Sequence, residues 1–251
     1  MSMNPRLLRP LASGFNPATI SGIVHWWDAN DAATLTLNAG AVQTWTSKAG
    51  TSTAASQSTA NNRPTTTTLS NGKVALLFDG TNDGLDFTGT SRTDETWIIA
   101  AAQTTDQSGQ RQMLSDGSSG TGMSATKTAT LKLLEVAFGG FTEGTNRLRV
   151  QYSATASTPM GPGVFSVVRS AAAGGFVFID GTQRTGAVSP FASSFSTSNA
   201  DTMSKIGYYS SGLFQFQGWI GEILCWSRAL AASDRNKVEK YLGKKWGITV
   251  S

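Results

Sequence analysis

The chain has little charge. Asp, Glu, Lys and Arg make up 14% of its 251 residues, against about a quarter in an ordinary soluble domain. It has one cysteine, Cys225, so no disulfide can form within the chain and the fold must hold by packing alone. The setting of that cysteine, Ile223-Leu224-Cys225-Trp226, marks it as a small core residue. The one histidine, His25, has no evident orienting acid or nearby nucleophilic cysteine, so no catalytic triad can be assembled around it. Its neighbours Trp26 and Trp27 point to a packed strand position instead. No long apolar run is present, which excludes a membrane-spanning helix. The first ten residues carry arginines without an apolar stretch, so no secretory leader is expected.

Small residues are abundant: 27 glycines, with many Ser, Thr and Ala. That is the composition of short strands joined by tight turns. The net charge of +4 is scattered. Its only groupings are Arg6 with Arg9, and Lys237, Lys240, Lys244 and Lys245 on one helix, where a solvated face is expected in place of a nucleic-acid site.

Residues 1–20 contain Pro5, Pro10 and Pro17 and no strand or helix periodicity, which predicts an extended N-terminal arm ahead of one domain at 21–251. Arg6, Leu7, Leu8, Arg9, Leu11 and Phe15 would let the arm dock on a neighbouring subunit or a capsid shell. Residues 46–73 are polar almost throughout and predict a long surface loop. Val74–Phe78 and Leu85–Phe87 flank the turn formers Asp79–Gly84 and predict a hairpin. Further strands are predicted at 96–102, 112–115, 131–138, 147–152, 163–169, 176–179, 205–209 and 216–226. Asp180-Gly181 supplies the positive φ angles of a two-residue turn. A single helix is predicted over 233–246, with Ser233 as N-cap and Gly247 as stop. Its Val238, Tyr241, Leu242 and Trp246 should face a sheet, and Trp97, Trp219 and Trp226 should join Trp246 inside. The fold class is all-β, an antiparallel sandwich with one C-terminal amphipathic helix.

Several blocks occur in an order that resembles laminin G-like, concanavalin A-like jelly rolls of the kind found in bacteriophage structural proteins and bacterial surface proteins. They are Gly22–Ala29, Val42–Trp45, Asn62-Arg63-Pro64, Phe78–Asp83 and Gly221–Leu230 with the helix behind it. The resemblance implies two stacked antiparallel sheets, but it leaves function to the site. Trp45 lacks the acidic residue that often follows it in that family, so a metal or polar site built on that carboxylate is not implied here.

Candidate chemistry is sparse. Glu95, Glu135 and Glu222 are the acids on strands, and none has a second acid two positions away on the same face. Catalytic residues are therefore not assigned and no enzyme is expected. Asp79, Asn82 and Asp83, with Asp86, offer calcium-type oxygen ligands, although Asp and Asn are also ordinary turn formers; no other cofactor is implied. Tyr208, Tyr209 and Phe214, around Ser210-Ser211-Gly212, combine aromatic faces with hydroxyls as a sugar site would. Together these features predict a non-catalytic structural protein of a phage virion, a capsid decoration or tail-associated adsorption protein. Its expected partners are virion proteins or copies of itself, with host surface glycans as ligands and no membrane insertion. The alternatives are a carbohydrate-binding module of a bacterial surface protein and a glycoside hydrolase.

Overall fold

A computed structural model describes residues 14–50, 54–117, 120–140, 142–153, 158–188, 192–195, 200–210 and 213–251. The arm residues Arg6, Leu7, Leu8, Arg9 and Leu11 lie outside them.

In chain order the strands begin with β1 (Ile23–Asp28), β2 (Leu35–Asn38), β3 (Ala41–Trp45), β4 (Ala55–Ser56), β5 (Thr65–Thr68) and β6 (Val74–Asp79). Then come β7 (Leu85–Asp86), β8 (Glu95–Gln103), β9 (Gly109–Ser115), β10 (Gly122–Lys127), β11 (Lys132–Ala137) and β12 (Arg147–Ser153). The last are β13 (Gly163–Ser170), β14 (Gly174–Ile179), β15 (Thr182–Gln183), β16 (Lys205–Ile206) and β17 (Gln217–Trp226), followed by the helix α1 (Ala232–Trp246). They form two antiparallel sheets, as the composition predicts. The first has the order β15-β14-β13-β8-β17-β6-β5, and the second β12-β11-β10-β9-β16-β7-β4-β3-β2. β17 is long enough to pair with β6 over its first half and with β1 over its second.

The inward-facing side chains of both sheets make one core. It joins Trp27, Trp97, Phe165 and Ile223 of the first sheet to Trp45, Leu114, Met123 and Val136 of the second. On the far side of the first sheet lies α1, whose Val238, Leu242 and Trp246 pack on Trp26, Ile98, Trp219, Leu224 and Trp226. All four tryptophans expected inside are buried, and so is Cys225. His25 is packed too, stacked on Trp27 with ring centroids 4.7 Å apart. The Asp180-Gly181 turn has φ values of 52° and 82°, as its hairpin requires.

Several expectations are corrected. Val74–Phe78 and Leu85–Phe87 are not a hairpin: β6 belongs to the first sheet and β7 to the second, so the turn between them arches across the sandwich. A hairpin and an arch use the same turn residues, and only the pairing partners separate them. The 46–73 stretch holds β4 and β5, because backbone pairing to β3, β6 and β7 stabilises strands with hardly an apolar side chain. α1 begins at Ala232 with Ala231 as N-cap and no side-chain cap; Asp234 in its first turn instead binds Lys237 at 3.2 Å and Arg228 at 3.3 Å. Phe15, assigned above to the docking arm, packs edge-on against Tyr241 of its own helix at 5.8 Å. Ile20 is buried as well, and its carbonyl accepts from Trp226 Nε1. Apolar surface this close to the sheet is covered by the nearest apolar side chains, which belong to the chain itself.

Candidate functional site

Successive residues of a strand face opposite sides. In β9–β12 the core takes Leu114, Met123, Ala125, Leu134, Val136, Leu148 and Val150. Their neighbours therefore point to the outer face. Register sorts those outward residues into rows. One row runs Gln112–Ser124–Glu135–Arg149 across β9, β10, β11 and β12. A second crosses the sheet from edge to edge as Arg147, Ala137, Gly122, Ser115, Lys205, Asp86, Ser56, Thr44 and Thr36. Nearly every member carries a hydrogen-bonding group.

The first row forms a network. Gln110 Nε2 donates to Glu135 Oε1 at 3.0 Å and to Ser124 Oγ at 3.3 Å. Glu135 is only 4% exposed, and burial raises its pKa above the usual carboxylate range, against the opposing pull of Arg147 and Arg149. The turn after β11 folds Glu143 back onto the same arginines. Its carboxylate accepts from Arg149 Nε at 2.9 Å, Arg147 Nε at 3.2 Å and the Arg149 backbone at 2.8 Å. Glu143 and the β10 residues carried no signal in sequence, since Gly122–Lys127 lacks the bulky alternation that marks a strand.

Tyr208, Tyr209 and Phe214 stand beside this face. β16 ends at Ile206, and from Gly207 the chain leaves the sheet in a finger that returns at Phe216. Gly207 N–H donates to Met113 O, and Phe216 N–H donates to Gly207 O at 2.8 Å, closing the neck. Only glycine fits this position, with φ at 87° and a would-be Cβ 2.3 Å from the Phe78 ring. The Gln112 backbone donates to Phe214 O at 2.9 Å, and Ser115 Oγ donates to Tyr208 O at 2.7 Å, so both sides of the finger are tied to β9. Tyr208 donates its hydroxyl to Asp86, whose carboxylate also binds Lys205 at 2.8 Å. Tyr209 and Phe214 meet edge to face at 5.6 Å. Leu213 and Phe214 remain 52% and 37% exposed. Ser211 and Gly212 lie outside the described residues.

The proposed calcium ligands are placed in the arch between β6 and β7. Asp79 Oδ1 accepts from the backbones of Thr81, Asn82 and Asp83, and Asp83 Oδ2 accepts from Asp79 N–H at 2.9 Å. These carboxylates cap a turn, and no group of three or more His, Cys, Asp or Glu positioned for a metal exists among the described residues. Burial pushes the Asp83 pKa up to about 6, with Asp79 adding to the rise and the Asp79 backbone hydrogen bond opposing it.

Glu222, another of the strand acids, lies elsewhere, sealed between the first sheet and α1. It accepts from Trp26 Nε1 at 2.7 Å, Tyr241 Oη at 3.0 Å, Lys245 Nζ at 2.6 Å and Trp246 Nε1 at 3.1 Å. All its lone pairs are engaged and it is fully buried, so it ties the helix to the sheet.

No family model and no curated protein matches the chain. Solved structures do. Domain 4 of AbnA, a GH43 extracellular arabinanase from Geobacillus stearothermophilus, solved with arabinotriose, superposes with a TM-score of 0.51 at 12% identity, over 88% of this chain and 98% of that one. Trypanosoma rangeli sialidase in complex with sialic acid gives 0.50 at 13% identity, over 92% of this chain and 34% of the sialidase. The binding domain of Paraclostridial Mosquitocidal Protein 1 gives 0.50 at 9% identity, over 90% and 52%. These likenesses show the fold, an antiparallel jelly-roll β-sandwich, and nothing finer.

Proposed function

We propose that the chain is a non-catalytic glycan-binding domain that works through the outer face of its second sheet. One observation carries this reading: the partly exposed finger of Tyr208, Tyr209, Leu213 and Phe214 is anchored on β9 and bonded to Asp86, beside the accessible stretch Lys205–Asp86–Ser56–Thr44 of the second row, whereas Gln112, Ser124 and Glu135 of the first row are buried. A sugar ring presents weakly apolar C–H faces and hydroxyl edges, and such a surface matches both. The arabinanase domain solved with arabinotriose and the sialidase solved with sialic acid share the fold and agree with this reading.

A glycan array probed with the full chain tests it. Selective binding is expected, reduced about tenfold or more in Phe214→Ala and Tyr209→Ala with unchanged thermal stability. Absence of binding across the array, or binding that ignores both substitutions, overturns it.

A hydrolase is the second reading. Glu135, with a raised pKa, and Glu143, clamped by two arginines, lie on one face in contrasting environments. Both carboxylates are already engaged by protein donors, which favours a structural role. Release of reducing ends from any bound glycan, abolished by Glu135→Gln, would establish the hydrolase instead.

The setting we propose is a phage particle, with residues such as Leu7, Leu8 and Leu11 of the arm contacting virion neighbours or other copies of the chain. It rests on the sequence resemblance and the arm composition. Mass spectrometry of purified particles should find the protein. Its absence from particles of a phage that encodes it rejects this setting.

A further inference from the structure

A cavity lies on the opposite side of the molecule from the finger, against α1. It has a volume of about 650 Å³ and is bounded by Gly14 and Phe15 on one side and the helix on the other, within the size range of small-molecule sites. Its aromatic wall is the Phe15–Tyr241 edge-to-face pair. Tyr241 is held in place by the hydrogen bond from its hydroxyl to Glu222. The rim is cationic: Lys237, Lys240, Lys244 and Lys245 line it from the helix, and Lys73 faces them from the turn before β6.

The ammonium groups are not all neutralised. Lys245 is paired with Asp28 and Glu222, each at 2.6 Å, and Lys237 with Asp234 at 3.2 Å. Lys73, Lys240 and Lys244 have no ion pair among the described residues. Like charges spaced three and four positions apart on a helix repel, by a few tenths of a kcal/mol per pair. Three uncompensated lysines around one apolar cavity therefore form a surplus of positive charge that an anion would relieve. The charged residues of the preceding arm, Arg6 and Arg9, are themselves basic and bring no such anion.

We infer that this cavity binds a small amphiphilic anion, a carboxylate or phosphate head on a compact apolar body. The body packs on Phe15 and Tyr241, and the head sits among Lys73, Lys240 and Lys244. The site is independent of the glycan reading, because it lies on the other sheet.

Titration calorimetry of the full chain with four probes tests the inference: decanoate, octyl phosphate, octanol and inorganic phosphate. One of the two amphiphilic anions should bind at least tenfold more tightly than octanol and than inorganic phosphate, and the tighter of the two identifies the head group. Raising the salt from 50 to 500 mM should weaken that binding. Lys240→Glu with Lys244→Glu should abolish it, as should the milder Lys240→Gln with Lys244→Gln, with Tm unchanged in both. Equal binding of octanol, equal binding of inorganic phosphate, or indifference to both double variants overturns it. So does sedimentation with anionic phospholipid vesicles in the absence of any decanoate or octyl phosphate binding, which would make the lysines a membrane-facing surface and not a site.

Discussion

Lys245 Nζ lies 2.6 Å from Glu222 Oε2 and, on its other side, 2.6 Å from Asp28 Oδ1. One ammonium thus joins α1 to two adjacent strands, β1 and β17, whose Asp28 and Glu222 are register partners. Two carboxylates this close repel, and burial raises the Glu222 pKa with Asp28 adding to the rise, while Lys245 and the Trp26 indole pull it back.

Removing the carboxylate leaves two buried indole N–H groups without an acceptor. Glu222→Ala should therefore lower unfolding free energy by about 3–5 kcal/mol, read as a fall in the urea midpoint. Glycan binding by the folded fraction should be unchanged, since the second sheet is untouched. A loss below about 1 kcal/mol would show that water replaces the missing acceptor.

The second buried pair behaves differently. Arg169 is fully buried, 3.5 Å from Glu95, and stacks over Phe138 at 4.1 Å. Among the described residues Arg169 Nε and Nη1 have no hydrogen-bond partner. Glu95→Gln alone should cost about 3 kcal/mol or more by stranding the guanidinium, whereas Glu95→Leu combined with Arg169→Met should come within about 1 kcal/mol of the parent. Chemical denaturation of the parent and the two variants checks the order, and a double variant less stable than the single would contradict it.

Acid should destabilise the fold through His25. Burial, helped by Arg92, lowers its pKa from 6.5 to about 4. Between those values the unfolded chain takes up a proton that the folded chain refuses, so the contribution is complete above pH 6.5 and is lost as the pH falls towards 4. The span corresponds to roughly 3 kcal/mol. Asp83 acts with the opposite sign: its folded pKa near 6 means that protonation stabilises the fold, and this gain fades as the pH rises from about 4 to 6. The difference between wild type and His25→Phe isolates the histidine. The variant should lose less stability on acidification, and parallel pH profiles would refute the assignment.

At the neck of the finger, Gly207→Ala meets both a positive φ and the Phe78 ring. A cost of about 2–4 kcal/mol is expected from backbone strain and overpacking, with weaker glycan binding in the molecules that remain folded. Thermal melts and binding isotherms check the two effects separately.

By itself the sequence determined the sandwich class and the single helix, because both are written in local periodicity and turn chemistry. Phe176–Gln183 declares its hairpin through Asp180-Gly181, and Val238, Leu242 and Trp246 declare a buried stripe. Tyr208, Tyr209 and Phe214 were also visible as an aromatic loop. What the tertiary structure alone decided is which residues share a face. Val74–Phe78 and Leu85–Phe87 look like hairpin arms yet enter different sheets, since turn residues cannot specify pairing partners. Gln112, Ser124, Glu135 and Arg149 form one row only because register across four strands aligns them, and Glu222 is an anchor only because α1 brings Lys245, 23 residues later in the chain, to it. Strand pairing and helix docking are non-local free-energy choices, made by burial and backbone hydrogen bonding over the whole chain, so no window of sequence contains them.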